Sequence, residues 1–155
     1  MKSLDDNVAK TLEAIADLLE DAVDPWWIIT GAAAALYGVT PGPVKDVDVL
    51  VSKRDAKRLE SRKVAARSSN GPSNLFYSSL FLEVQSEPLN IELMADFHIA
   101  KDSKWIPVSF NTRNSRKISN KTIYIPSRHE LIDLFRCIGR RKDIIRADML
   151  EKLND

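Results

Sequence analysis

Two aspartates separated by one valine, Asp46-Val47-Asp48, have the spacing in this 155-residue chain that most directly suggests chemistry. On a strand both would project from one face, about 7 Å apart, leaving Val47, Val49 and Val51 to pack on a core. Neighbouring carboxylates repel each other unless a cation sits between them. Hard oxygen donors of this kind suit Mg²⁺, above all when a substrate phosphate completes the coordination shell. Asp-Val-Asp alone also describes a solvated strand edge, so the flanking residues matter.

Upstream, Trp26-Trp27-Ile28-Ile29-Thr30-Gly31-Ala32 reads as an apolar strand running into a glycine turn and a short alanine-rich helix. A strand that ends this way leaves backbone N–H groups free, and such a helix start attracts phosphate. Gly31 is equally suited to a plain tight turn. Downstream, Leu89-Asn90-Ile91-Glu92-Leu93-Met94 alternates, which turns Leu89, Ile91 and Leu93 to the core and Glu92 to the other face. On a strand beside the Asp pair, Glu92 would take the proton of an acceptor hydroxyl and help hold a metal ion. Asp96 is its rival, one step further along the same face, and a surface role is the plain alternative for either.

The elements that position these residues follow from periodicity and caps. Residues 3–22 predict a helix, with Ser3 and Asp6 spaced as a capping box and Leu4, Val8, Leu12, Ile15, Leu18 and Leu19 at helical period. Asp24-Pro25 ends it, and Trp26 and Trp27 are expected in the core rather than against a base. The stiff loop 39–45 delivers Lys45 to the Asp pair, either toward a phosphate or as an ordinary surface lysine. Ser52 and Asp55 open a charged, peripheral helix over 53–62. Strands are expected at 64–67 and at 75–84, the latter with Phe76, Leu80 and Leu82 inward, around a Ser/Asn/Gly loop at 68–74. A strand at 105–110, a basic loop at 111–120 carrying Arg113, Arg116 and Lys117, and a strand at 118–125 follow. Ser127 and Glu130 cap a helix that ends at Gly139; residues 140–143 turn, and 144–153 form a last amphipathic helix.

Composition bounds the rest. The length suits one domain, 1–155, with a proper core. Lys+Arg 23 against Asp+Glu 22 leaves a net charge of +1, so no overall field recruits nucleic acid. One cysteine, Cys137, excludes an internal disulfide. With no export signal and no apolar run of membrane-spanning length, it points to a cytoplasmic protein without a membrane partner. His98, His129 and Cys137 are too scattered for a zinc site.

The order strand, glycine turn, short helix and Asp-x-Asp resembles the nucleotidyltransferase superfamily to which DNA polymerase beta belongs, and most of all its small single-domain members. The likeness spans 26–51, 89–97 and 124–153. It implies a nucleotidyltransferase fold, an α/β (α+β) architecture of a mixed twisted sheet flanked by helices with a C-terminal helical hairpin. It also implies transfer of a nucleoside monophosphate from a nucleoside triphosphate to an acceptor hydroxyl, with two Mg²⁺ ions (or Mn²⁺) on Asp46, Asp48 and Glu92. Thr30, Gly31 and Ala32 would cradle phosphates. Lys45 matches a basic position before the Asp pair, and Gly139-Arg140-Arg141-Lys142-Asp143 is similar to a C-terminal Gly-Arg-x-Lys-Asp signature. That signature suggests Lys142 at the phosphates, with Arg140 or Arg141 assisting. Two departures stand out: Ala32 where many members carry Ser, and Glu92 where Asp is usual. The acceptor is left open as small molecule, RNA or protein, as is a homodimer or partner subunit. A nucleotide-binding regulator, or the nucleotidyltransferase half of a toxin–antitoxin-type pair, remain the alternatives.

Overall fold

The computed structural model describes residues 4–68, 73–85 and 88–154. Thirteen elements follow in the order α1 (Asp6–Leu18), β1 (Trp27–Ile29), α2 (Thr30–Leu36), β2 (Asp46–Val51), α3 (Lys53–Ser61), β3 (Ala66–Arg67), β4 (Phe76–Val84), β5 (Asn90–Lys101), β6 (Lys104–Pro107), β7 (Asn114–Ile118), β8 (Lys121–Ile125), α4 (Arg128–Ile138) and α5 (Arg141–Glu151). The main sheet runs β1-β2-β5-β4-β3, with β6 joined to the far end of β5, and β7-β8 make a separate ribbon. Among the described residues, only β2 and β5 run parallel; the other pairs are antiparallel. The architecture is the mixed α/β arrangement expected.

The two central strands carry both the core and the site because their side chains alternate. Val47, Val49, Ile91, Leu93 and Ala95 are at most 1% exposed, and α1, α2, α3 and α4 all pack against the sheet. Helix α1 buries Val8, Leu12 and Ile15 on one stripe, and Asp5, rather than the expected Ser3, caps it by accepting from the N–H groups of Asn7 and Val8. Ser3 lies outside the described residues. The helix also stops at Leu18, short of the expected 22.

Three other expectations change. Helix α3 is charged but not peripheral: Ala56 and Leu59 are buried, and the buried Asp55 carboxylate accepts from the N–H groups of Val23 and Asp24. The basic segment 111–120 is not an open loop, since Asn114–Ile118 pairs with Lys121–Ile125 as a hairpin. Arg113 then lies 3.4 Å over the Tyr124 ring and donates to the Trp26 carbonyl, a structural post rather than an anion trap. Finally, Ser127 caps α4 as expected, but Glu130 does not close the box. Its carboxylate instead takes the N–H groups of Asn111 and Thr112, pinning the end of the ribbon to the helix.

The tryptophans pack as expected, Trp26 edge-on to Tyr124 and Trp27 against Phe110. Among the described residues, no helix is long and apolar enough to cross a membrane.

Candidate active site

Parallel pairing of β2 with β5 sets Asp48 directly opposite Glu92, and Asp46 opposite Asn90. Neighbouring strands lie about 4.8 Å apart, close enough for facing carboxyls to share a proton. Asp48 and Glu92 are in hydrogen-bond contact, and Glu92 is pushed up to about 8. Burial is the largest cause, followed by the hydrogen bond to Asp48 and the charges of Asp48, Asp46 and Glu83. Asp48 is also raised by burial, against the opposing hydrogen bonds from Glu92 and Thr30. On the other side of Glu92 stands Glu83 of β4, in register with it and accepting from the Ser68 hydroxyl. An acidic row therefore crosses three strands.

Asp46 belongs to the same face but sits further out. It is exposed, one pleat from Asp48, and acts on Glu92 only through its charge. Among the described residues, no group of three or more His, Cys, Asp or Glu is closed enough to hold a metal ion. The expected three-acid convergence is thus a tight pair with a more distant third member. The reason is the register, which gives Asp46 an asparagine for its neighbour. Asp48 and Glu92 offer a divalent cation such as Mg²⁺ two facing hard-oxygen donors, and Asp46 would have to draw in to complete a three-acid set.

At the end of β1 the chain turns sharply into α2. Thr30 adopts φ 54°, an uncommon conformation for a β-branched residue. Its hydroxyl lies 2.5 Å from Asp48 Oδ2 and 2.9 Å from the Ile29 carbonyl. Next to it, Gly31 faces the Arg146 guanidinium so closely that a Cβ there would stand 3.1 Å from Nη2. Ala32 points the other way, 1% exposed among the core residues. Lys45 is exposed and lines the mouth, beside Pro41, Gly42 and Pro43.

The opposite wall is cationic and comes from the C-terminal hairpin. Gly139 ends α4 at φ 76°, a left-handed value that glycine adopts without cost. Arg140 follows, and its guanidinium makes two hydrogen bonds to Asp143, at 2.6 and 3.2 Å. Asp143 is fully buried and also accepts from the Arg140 backbone N–H. The same carboxylate lies 4.0 Å from Arg146, whose guanidinium is pushed down, chiefly by burial. One buried acid therefore orients two arginines that line the cleft with Lys142. Helix α5 begins at Arg141, not 144, so Lys142 rides its first turn, one helical turn before Arg146.

These walls enclose a cleft of about 1020 Å³. Its third side is β4, with Phe76, Tyr77 and Phe81, joined by Met94 and Phe97 of β5. Asp96 is not part of it: the residue is exposed at φ 56°, and its carbonyl accepts from His98 Nδ1. Phe97 lines the cleft in its stead, and Glu92 is the acid facing Asp48.

No family model matches the chain, and no curated sequence does. Solved structures match over nearly its whole length. A protein from Thermotoga maritima assigned as a nucleotidyltransferase aligns with TM-score 0.70 and 22% identity, over 97% of this chain and 94% of that one. This chain has the nucleotidyltransferase fold. The fold also aligns with the lincosamide antibiotic adenylyltransferase LnuA, solved with lincomycin bound, at TM-score 0.61 and 14% identity, over 99% of this chain and all of LnuA. The antibiotic-resistance factor ANT(2'')-Ia, in complex with adenylyl-2''-tobramycin, aligns at TM-score 0.52 and 13% identity, over 92% and 86% of the two chains.

Within this nucleotidyltransferase fold, the structure brings Thr30, Gly31, Lys45, Asp46, Asp48, Glu92 and Lys142 to one cleft. It leaves Ala32 outside, and of the two arginines it selects Arg140 over Arg141. Sequence reasoning missed Glu83 and Arg146. The Lys142–Arg146 spacing of four residues was the available signal for the second.

Proposed function

We propose that this chain transfers a nucleoside monophosphate from a nucleoside triphosphate to an acceptor hydroxyl. The observation that carries the reading is the facing pair Asp48 and Glu92, set opposite each other by strand register and lining one cleft with Arg140, Lys142 and Arg146. Acids and cations arranged this way separate the two ends of a phosphoryl transfer. Arg140, Lys142 and Arg146 neutralise the departing pyrophosphate beside Gly31, while Asp46, Asp48 and Glu92 face the reacting phosphate. Mg²⁺ or Mn²⁺ would be held by Asp48 and Glu92 with Asp46 drawn in, and would supply charge neutralisation for the phosphoryl transfer.

Glu92 takes the acceptor's proton once it no longer shares one with Asp48. The acceptor oxygen forms its bond to the α-phosphorus, the bond to the pyrophosphate oxygen breaks, and pyrophosphate leaves. Thr30 holds Asp48 in place through its hydroxyl. The fold's relatives include adenylyltransferases, which supports this reaction class.

The test incubates the protein with α-labelled nucleoside triphosphates, Mg²⁺ and a cell extract, and follows label into acceptor. Asp48→Asn and Glu92→Gln should each lower transfer by roughly 10²–10⁴-fold. Nucleotide binding with no transfer to any acceptor would favour a regulatory binding protein instead. Transfer undiminished in both variants would remove the acid pair from the mechanism.

A further inference from the structure

The third wall of the cleft says what kind of acceptor it suits. Given the transfer reading above, on which this inference rests, we infer that the acceptor is a small, uncharged hydroxyl compound with a flat aromatic or alicyclic body. Phe81 and Met94, paired one step along from Glu83 and Glu92, begin an apolar side of the cleft that Phe76, Tyr77 and Phe97 also line, and the hydroxyls of Ser78 and Ser79 are set among them. Phe76 and Phe97 stack at 5.7 Å. Tyr77, 42% exposed, carries the surface outward to the mouth. Trp105, though 5.9 Å from Tyr77, stands outside the cleft lining.

Charge argues against a polycationic acceptor and against a polynucleotide. A polycation needs carboxylates along its seat, yet among the described residues the carboxylates lining the cleft are Asp46, Asp48 and Glu92, all at the reacting centre. A polynucleotide needs a track of free cations leading away from the centre. Arg140, Lys142 and Arg146 stand on the opposite wall, Arg67 at the rim is paired with Glu60 at 2.9 Å, and Lys45 at the mouth is a single cation rather than a track. A volume of about 1020 Å³ accommodates a nucleotide together with a second compact molecule.

The test uses N-phenyl-1-naphthylamine, an uncharged aromatic probe that fluoresces when bound, in the full chain with Mg²⁺. Saturable one-to-one binding is expected, weakened about tenfold in Tyr77→Ala and unchanged within twofold in Trp105→Ala. Saturating ATP should leave the probe's affinity within twofold, and neither tobramycin nor a short single-stranded RNA should displace it. Four results would overturn the inference. They are no saturable binding, displacement by ATP (the wall then seats the nucleobase), displacement by tobramycin or RNA, or a larger loss in Trp105→Ala than in Tyr77→Ala. ATP binding, measured by equilibrium dialysis in the same samples, reports separately on the underlying reading. Probe bound without ATP would sink nucleotidyl transfer, and the acceptor role with it, while leaving an apolar small-molecule site.

Discussion

Replacing Glu92 with glutamine should make the metal-free protein increasingly more stable than wild type as pH rises from about 4.5 to about 8. Glu92 is held protonated by burial and by Asp48, up to about 8 against an ordinary 4.5. Its folded-state value is raised, so the associated stability is fully present below about 4.5 and is lost as pH climbs through about 8. The full displacement bounds the effect at roughly 5 kcal/mol. Solvent reaches part of the side chain and the proton is shared with Asp48, which brings the expectation down to about 2 kcal/mol. In a domain of this size that amounts to a melting-temperature difference of roughly 4–8 °C. The assay is thermal unfolding in EDTA from pH 5 to pH 8.5, wild type against Glu92→Gln. The wild-type curve should fall over that range, while the variant stays nearly level and ends higher. Adding Mg²⁺ at pH 8.5 should lift the wild type more than the variant. Parallel profiles for the two proteins, with or without the ion, would refute the account of a proton-sharing acid pair.

Three further outcomes can be checked with the same protein. Asp143→Asn removes the buried acid that holds Arg140 and faces Arg146, and should cost about 3 kcal/mol in urea unfolding while raising the KM for nucleotide. Gly31→Ala displaces the flexible end of Arg146 rather than backbone, so it should leave the fold within about 1 kcal/mol of wild type yet weaken nucleotide binding roughly tenfold by equilibrium dialysis. Gly139→Ala forces a side chain into a left-handed turn and should lower stability by about 1 kcal/mol in denaturant unfolding.

Much of the site could be read from residue order because strand alternation is a local rule. Asp46 and Asp48 had to share a face, and so did Glu92 and Met94, whatever the sheet looked like. What alternation cannot supply is register. Nothing in the spacing of Asp46, Asp48 and Glu92 says which aspartate stands opposite the glutamate, and the answer decides that the third acid is held at a distance. The Asp96 conformation escaped for the same reason: a left-handed residue within a long strand is a tertiary outcome. Arg146 was hidden by an error of three residues at the start of α5, which moved the helix face that bears it. The β7–β8 hairpin was misread because its strand carries Arg116 and Lys117, whose charge outweighed a weak alternation. Glu130 shows the limit of capping patterns, since a carboxylate at the right spacing found better donors in Asn111 and Thr112.

The cleft takes its negative charge from strands near the middle of the chain and its positive charge from the last helix. Asp48 and Arg146 are almost a hundred residues apart, joined only when α5 docks beside α2. A partly folded molecule with the sheet formed and that helix loose would still carry the acids, but with nothing to receive a triphosphate. On the proposed function, nucleotide affinity would therefore gauge whether the final helix has settled. A ligand that binds there should slow release of the C-terminal segment more than it slows unravelling of the sheet.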